Sequence, residues 1–479
     1  MGTVLLNSLN AWWPETMLGA GALVVMLLGA AKATRFLVMV AAWAAILAAA
    51  CALWLAPVPP PAGMFYGLIV CDPFSLTFRW IALGTIAIVL LLVMASRETE
   101  PSVQGEYVGL LLLIGLGVIL MAEANHLLMA YLAMELVSLS SYVLVGLLQE
   151  PRSAEASLKY LLFGALSSGM MLFGMSLLYG ATGQLGFPEL QRAAGGTAFA
   201  AQGAVLIAAA LLLAGLAFKI SMVPFHMWTP DAYEGAPVPV AALLSVGPKA
   251  AGLALLVRVV QVLGPVWGNL RPLLIVLTIV TMTLGNLAAL TQTNVKRLLA
   301  YSTIGQVGYL LIGFVVNSSM GIDGLLFYLV AYLFMNLGAF ACVVAVENAT
   351  RSESIEAFRG LGQRSPGLAL VCALFLLSLA GIPPLAGFFG KFLLFGSAIQ
   401  THHWWLAMAG ILNSAVALYY YVNIIRLMYF VAPTTAAPVT AAAPLRMAVA
   451  CCAFVTLLFG LLPGPLLALL HATTGIHLL

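Results

Sequence analysis

The chain has 479 residues, of which 63% are hydrophobic and only 7% are charged, with a net charge of +3. An ordinary soluble domain is about 45–50% apolar and about 25% charged, so this composition excludes a water-soluble globule. It also excludes an intrinsically disordered chain, and the small, dispersed net charge argues against nucleic acid as a partner. The composition is typical of a protein that crosses a lipid bilayer many times.

Long, continuous apolar runs recur along the whole chain. A transmembrane helix needs about 20 mainly apolar residues, whereas an outer-membrane strand would show short segments of alternating polarity. The sequence therefore predicts an all-α polytopic membrane protein with about fourteen transmembrane helices. In chain order, helices 1 to 14 are predicted at 5–28, 36–55, 73–95, 106–122, 127–148, 158–180, 201–229, 239–262, 272–291, 298–317, 323–346, 367–399, 404–430 and 447–470.

The predicted helices divide the chain into four segments. Residues 1–105 hold helices 1–3, residues 106–262 hold helices 4–8, residues 263–430 hold helices 9–13, and residues 431–479 hold helix 14. Helices 4–8 and 9–13 each form a set of five, and an odd number of crossings makes the second set start from the opposite side. The two sets are therefore predicted to be inverted repeats.

The distribution of Lys and Arg indicates an orientation. If the N-terminus lies outside, the loops that follow odd-numbered helices lie inside, and with their helix ends they hold 12 of the 19 basic residues, against 4 on the other side. The twelve are Lys32, Arg35, Arg97, Arg152, Lys159, Lys296, Arg297, Arg351, Arg359, Arg364, Arg426 and Arg446. By the positive-inside rule, we expect both termini on the outer, periplasmic side of a bacterial inner membrane.

Glu135, Lys219, Lys249 and Lys391 are charged residues inside predicted spans. Each costs roughly 2.5–3.5 kcal/mol near the centre of a membrane helix, so in a chain this poor in charge they indicate a pathway for ions or protons. All three cations are lysines, which can release and rebind a proton when buried, whereas arginine stays charged. Two other interpretations stay open: Lys391 could reach the membrane surface, and Lys219 could form a structural ion pair with Glu135.

Proline interrupts two of the predicted spans, helices 7 and 12. Pro224 follows Lys219 in helix 7, and Pro383 and Pro384 precede Lys391 in helix 12. Proline removes a backbone donor, and non-helical backbone at membrane depth persists only inside protein or beside a wet cavity. These are the fourth helices of the two five-helix sets, and broken segments at matching places point to a transport site. The alternative is a pair of kinks without function.

Polar residues flank these charges at helical spacing. Ser138 and Tyr142 lie three and seven residues after Glu135 on the same helix face, and Ser302 and Gln306 lie four residues apart in helix 10. They could line a proton pathway, although ordinary hydrogen bonding between packed helices explains them equally well.

Three further titratable residues follow Lys219. His226 could continue a relay across the break in helix 7 or be an ordinary hydrogen-bonded histidine. Asp231 and Glu234 are predicted in the inside loop after helix 7, where they could form a proton entrance or simply be solvated. The sequence carries no phosphate-loop, dinucleotide, zinc or iron–sulfur motif, so no cofactor is expected on this chain.

Four stretches of the sequence together resemble a known family: MELVSLSSYVLVG, FKISMVPFHMWTPDAYEGAPVPVAALLSVGPKA, NVKRLLAYSTIGQVGYLL and GIPPLAGFFGKF. Over about residues 5–470 the chain is similar to the antiporter-like membrane subunits of respiratory complex I (NADH:quinone oxidoreductase), and most similar to the N-type members. The resemblance implies a proton-pumping unit of the membrane arm, coupled to quinone reduction in other subunits. Flavin and iron–sulfur clusters would be held by those other subunits.

The resemblance also implies neighbours and residue roles. M-type and K-type membrane subunits and the lateral helix of the L-type subunit would adjoin this chain in the bilayer. Glu135 would pair with Lys219, Lys249 would connect two half-channels, and Lys391 would serve the exit side. Helix 10 departs from this symmetry, because it has no acidic residue to partner Lys391.

Two alternative functions stay open. A subunit of an Mrp-type cation/proton antiporter shares these motifs, and it predicts sodium-dependent exchange without NADH oxidation. A non-pumping structural spacer of the membrane arm predicts that all four charged residues tolerate neutral substitution.

Overall fold

The computed structural model describes residues 8–55, 63–100, 103–194, 203–433 and 438–473. Thirteen helices in these residues are long and apolar enough to cross a membrane, and a fourteenth predicted span is a pair of shorter helices. Numbered to keep the predicted order, the helices are α1 (Trp13–Ala30), α2 (Arg35–Leu55), α3 (Pro73–Ala95), α4 (Gln104–Glu123), α5 (Leu127–Val145), α6 (Pro151–Thr182), α7a (Gly203–Ile220), α7b (Trp228–Gly235), α8 (Val238–Gly264), α9 (Val266–Ala289), α10 (Val295–Val316), α11 (Ser319–Thr350), α12a (Pro366–Ala380), α12b (Ala386–Gln400), α13 (Trp404–Phe430), α14 (Ala443–Leu461) and α15 (Pro463–Thr473).

Local sequence signals explain where several helices begin and end. Asp72 and Ser75 form a reciprocal capping box at the start of α3, and Pro73 occupies the first turn, where its missing N–H costs nothing. Helix α6 ends at Gly183, whose φ of 67° is the left-handed conformation that glycine adopts without strain. The prediction of an all-α membrane protein with about fourteen spans is therefore confirmed.

Both predicted breaks are present. Helix α7a ends before Ser221, which has a φ of 63°, and Pro224 follows in the non-helical segment that leads to α7b. Helix α12a ends at Gly381, with a φ of 92°, and Pro383 and Pro384 precede α12b. In each case the backbone first turns into the left-handed region and proline then prevents the helix from resuming at once.

Two loop predictions are wrong. The segment 230–238 is not a loop, because Trp228–Gly235 forms a second, short half of helix 7. The segment 263–271 is not a loop either: α8 and α9 are almost continuous and are separated only at Gly264, whose φ of 16° and ψ of −93° bend the backbone. A single glycine can make this turn because it has no Cβ, so hydropathy alone does not reveal the tight connection.

The order of elements from α4 to α8 recurs from α9 to α13. The third helix of each set, α6 or α11, is 32 residues long, and the fourth is broken. A short antiparallel bridge accompanies the second helix of each set, joining His126 to Gly186 in one and Asn294 to Ser354 in the other. This repetition supports the predicted division into two five-helix sets.

The interior of the bundle is formed by α8, α10 and α11, whereas α2, α6 and α13 present large exposed apolar side chains such as Phe36, Leu162 and Trp405. Such a surface is stable in a bilayer, where lipid tails solvate it. Small residues let neighbouring helices approach: a Cβ added to Gly29 of α1 would lie only 2.7 Å from the Cα of Gly105 in α4.

Candidate functional site

The three lysines predicted inside membrane spans lie in the interior of the bundle. Lys219 in the last turn of α7a and Lys249 in the middle of α8 are completely buried, and Lys391 in α12b is 3% exposed. An unsolvated ammonium is costly at membrane depth, so the contacts around each one decide how the bundle tolerates it.

Lys219 is bound by Ser138, which lies one turn after Glu135 on α5, and not by Glu135 itself. The Lys219 ammonium donates to the Ser138 hydroxyl at 2.9 Å, and Ser138 donates to the carbonyl of Met134 at 2.8 Å. The Glu135 carboxylate accepts a hydrogen bond from Ser168 of α6. Within the described residues Lys219 and Glu135 form no direct ion pair, and each is hydrogen-bonded to a different serine.

Tyr142 connects this region to α7b through aromatic rings. Its ring contacts that of Tyr160 edge-on, with 4.6 Å between centroids, and Tyr160 stacks on Trp228 at 4.1 Å with the rings nearly parallel. The indole N–H of Trp228 donates to the carbonyl of Phe218 at 3.0 Å, which fixes the orientation of the indole against α7a.

Lys249 is held by aromatic faces. Its ammonium lies 4.3 Å from the centre of the Trp228 ring and 5.7 Å from that of Tyr233, and it has no hydrogen-bond partner among the residues that the structure describes. A ring face attracts a desolvated cation without accepting its protons. Lys249 is therefore stabilised as a cation without being fixed by hydrogen bonds.

Buried polar side chains continue from this point toward Lys391. On α10, Thr303 accepts from Tyr332 at 3.0 Å and Gln306 donates to Tyr421 at 3.2 Å. Ser302, one turn before Gln306, shares a hydrogen bond with the same tyrosine hydroxyl. Gln306 also donates to the carbonyl of Leu379 at 3.1 Å, and it accepts from Tyr328.

Lys391 meets that Leu379 carbonyl from the other side. Its ammonium donates to the carbonyls of Leu379 and Ala380 at 3.0 Å each and lies 4.3 Å from the centre of the Tyr309 ring. These carbonyls belong to the last turn of α12a, where the helix dipole favours a cation. The carbonyls exposed at the break in helix 12 therefore take the place of a carboxylate partner for Lys391. The Lys391 side chain is buried and does not reach the surface.

Asp231 and Glu234 lie on α7b and are ion-paired rather than free in a loop. Arg297 contacts both acids, at 2.7 Å and 2.6 Å, while Lys159 reaches Asp231 at 3.1 Å and Arg152 reaches Glu234 at 2.6 Å. Burial acts to raise the pKa of Asp231, but the hydrogen bonds from Arg297 and Lys159 outweigh it and hold the pKa below its usual range. The two carboxylates thus anchor α7b to α6 and α10.

These ion pairs border a polar cavity of about 740 Å³ on one face of the bundle, which we call the charged face. Its lining comes from the loops and helix ends that follow α3, α5, α7b, α9 and α11, and includes Arg97, Arg152, Glu234, Asn294 and Glu353. All are connections after odd-numbered helices, which supports the predicted alternation of crossings.

Glu98 lies in the lining of the same cavity and caps α8. Its carboxylate accepts from the backbone N–H of Val238 at 2.8 Å and from the Ser96 hydroxyl at 3.2 Å. Burial raises the pKa of Glu98 to about 7, with Glu347 adding to the rise and Lys296 and the two hydrogen bonds opposing it. Glu98 could not be predicted from the sequence, because nothing in the loop pattern distinguishes it from a solvated acid.

His226 is not connected to the lysines by any hydrogen bond within the described part of the chain. It is half-buried in the segment between α7a and α7b, its Nδ1 has no partner, and its backbone carbonyl accepts from Thr229 at 3.0 Å. Sequence analysis missed the residues that do hold a lysine, Trp228 and Tyr233. No periodic pattern links them to Lys249, and only their shared place in the motif around Pro230 could have suggested them.

Known proteins resemble this chain over nearly its whole length. The family model described as NADH:quinone oxidoreductase/Mrp antiporter, TM, matches residues 124–417. NADH-quinone oxidoreductase subunit N of Anaeromyxobacter sp. (strain Fw109-5) is 42% identical over 90% of this chain and 89% of its own length. NADH-quinone oxidoreductase subunit N 2 of Sorangium cellulosum (strain So ce56) is 44% identical over 96% of each chain. A chain of respiratory complex I from Thermus thermophilus with bound aureothin has a TM-score of 0.82 and 33% identity, covering 95% of this chain and 98% of that one.

The fold and these similarities define a multi-pass, antiporter-like membrane subunit. The chain belongs to the NADH:quinone oxidoreductase/Mrp antiporter family and, within it, to the NADH-quinone oxidoreductase N subunits.

Proposed function

We propose that this chain is a proton-translocating subunit in the membrane arm of an NADH:quinone oxidoreductase, and that Glu135, Lys219, Lys249 and Lys391 carry the proton. The observation that carries the proposal is the row of three buried lysines, none of which forms an ion pair with a carboxylate among the described residues. The names of the N-subunit relatives and the complex I structure support the assignment to this complex.

The contacts of each lysine suggest the order of steps. The Lys219 ammonium donates to one neutral hydroxyl, that of Ser138, and the negative charge of Glu135 lies one turn before Ser138 on α5. Moving Glu135 away would therefore disfavour the protonated amine. Quinone reduction in other subunits would drive that movement. The proton would pass to Lys249, whose aromatic faces accept a cation without binding its protons. Lys391, held by two carbonyls, would release it on the exit side.

The polar side chains between Lys249 and Lys391 fit a route for protons. Ser302, Gln306 and Tyr421 form a continuous hydrogen-bonded group beside the Leu379 carbonyl, which also binds Lys391. On the first half of the route, Ser138 performs the corresponding task between Glu135 and Lys219. His226, which has no bond to this group, is not assigned a step.

We further propose the setting of the subunit. Electron transfer would use flavin and iron–sulfur clusters on other subunits, and M-type, K-type and L-type membrane subunits would contact the exposed apolar helices. The charged face would lie inside a bacterial inner membrane and both termini outside, as the distribution of basic residues predicts.

Substitution of Lys219 tests the proposal in the intact complex reconstituted into liposomes. Lys219→Ala should abolish most proton uptake and, through coupling, slow quinone reduction by NADH. Lys32→Ala is a matched control, because Lys32 is an exposed lysine in the loop after α1. Full proton stoichiometry in the Lys219→Ala complex would refute the relay and would favour a structural spacer.

An Mrp-type antiporter subunit is the less supported alternative: the matching family model covers both kinds of protein, but the N-subunit relatives are 42% and 44% identical to this chain. It predicts sodium-dependent exchange and co-purification with antiporter subunits alone. Co-purification of this chain with an NADH-oxidising peripheral arm would exclude it.

A further inference from the structure

A second buried group of charges lies at the face opposite the charged face. Arg79 in the second turn of α3 lies between Glu15 of α1 and Glu123 at the end of α4. Its Nε is 2.6 Å from Oε1 of Glu123 and 2.8 Å from Oε1 of Glu15. The side chains are 3% exposed for Arg79 and 0% for both glutamates, so water does not solvate them.

Among the described residues, the hydrogen-bond donors near these two carboxylates reach Glu123 and not Glu15. The Nε atom carries one hydrogen, and it points at Glu123, which also accepts from the Trp12 indole at 3.3 Å. Neither oxygen of Glu15 receives a hydrogen bond from any described residue, although Oε1 lies beside the same Nε. Glu123 therefore accepts the hydrogen bonds that an ionised carboxylate needs, whereas Glu15 accepts none from a described residue.

The neighbouring charges do not correct this imbalance. Arg79 directs Nη1 to the sulfur of Cys71 at 3.0 Å, and its buried Nη2 has no partner among the described residues. The nearby Asp72 is already balanced by Arg258 at 2.8 Å. One guanidinium thus stands against two carboxylates, and a second buried carboxylate without a donor or a counter-charge is strongly unfavourable.

A proton on Glu15 removes both problems at once. It neutralises the surplus charge, and the new O–H group can donate to Glu123, whose Oε1 lies beside the same Arg79 nitrogen as Oε1 of Glu15. We propose that Glu15 and Glu123 form a binding site for a single proton, which Glu15 holds and donates to Glu123 as a hydrogen bond. The site joins α1 to α3 and α4, and it is independent of the lysine row and of the proposed function.

Infrared spectroscopy of the full-length chain in liposomes tests the site, because a protonated carboxylic acid has a carbonyl band that a carboxylate lacks. The wild-type spectrum should contain a band from a buried, protonated glutamic acid at a pH well above 7, where Glu98, with its pKa of about 7, is ionised and does not contribute. Glu15→Gln should abolish it, whereas Glu106→Gln should leave it intact. Glu106 is a suitable control because it is an exposed glutamate on α4, the helix that also carries Glu123.

Thermal unfolding of two variants gives a second, independent readout. The Gln amide supplies an N–H toward Glu123, so Glu15→Gln should unfold close to the wild-type temperature. Glu15→Leu supplies no donor and should unfold at a clearly lower temperature. The proposal is overturned if the wild-type band is absent, if Glu15→Gln leaves the band in place, or if both variants are destabilised equally.

Discussion

Replacing Trp228 with Leu is the most direct test of how the bundle holds a cation at Lys249. Trp228 supplies the nearer of the two ring faces over the ammonium, at 4.3 Å, and no described residue hydrogen-bonds to it. A desolvated cation–π contact contributes about 2 kcal/mol. Since each 1.36 kcal/mol is a factor of ten, losing it should lower the ratio of protonated to neutral Lys249 by about 30-fold.

Trp228→Phe is the matched control. Both variants lose the indole N–H that bonds to the Phe218 carbonyl, and with it comparable stability, but only Phe keeps a ring over Lys249 and against Tyr160. The difference between the variants therefore isolates the ring face. Phe should retain most of the wild-type rate of proton translocation, whereas Leu should fall by on the order of ten-fold or more.

The assay measures proton uptake into liposomes by the reconstituted complex, divided by the rate of NADH oxidation with the membrane uncoupled. If Trp228→Leu pumped as well as Trp228→Phe, the aromatic face would have no part in stabilising the cation. The proposed step through Lys249 would then need another partner for the ammonium.

Two further predictions concern the charged face. Arg297→Gln removes the cation that binds both acids of α7b, and because these groups are partly exposed we expect a loss on the order of 1 kcal/mol, seen as a lower unfolding temperature, with Arg297→Lys intermediate. An unchanged unfolding temperature would show that Arg297 does not anchor α7b. Burial and the neighbouring Glu347 raise the pKa of Glu98 to about 7, although Lys296 opposes the rise. Between the ordinary pKa of a glutamate and about 7, Glu98 is therefore protonated in the folded state and ionised in the unfolded chain. Stability should therefore fall as the pH rises from the ordinary glutamate range to about 7, and Glu98→Gln should flatten that part of the pH–stability curve; an unchanged curve would argue against this titration.

Much of the architecture follows from local properties of the sequence. The number of spans, the breaks near Pro224 and Pro384 and the positions of the three lysines could be predicted, because hydropathy and missing backbone donors act within a few residues. The two loops predicted wrongly, around Asp231 and Gly264, fail for the same reason. A short polar helix such as Trp228–Gly235 has no apolar run that would reveal it, and a turn at the single residue Gly264 does not interrupt the hydropathy pattern where the chain bends.

The sequence by itself determined that this is a membrane bundle with a few costly charges, since a chain with 7% charged residues can place them at depth only with compensation. What each charge contacts was decided by the tertiary structure. Lys219 is bound by Ser138 and not by Glu135, and the break in helix 12 supplies carbonyls to Lys391. The clearest case is Arg79, which looks like an ordinary basic residue until the fold places one carboxylate from α1 and one from α4 beside its single Nε–H. Contacts of this kind join helices far apart in the chain, and no spacing along the sequence encodes them.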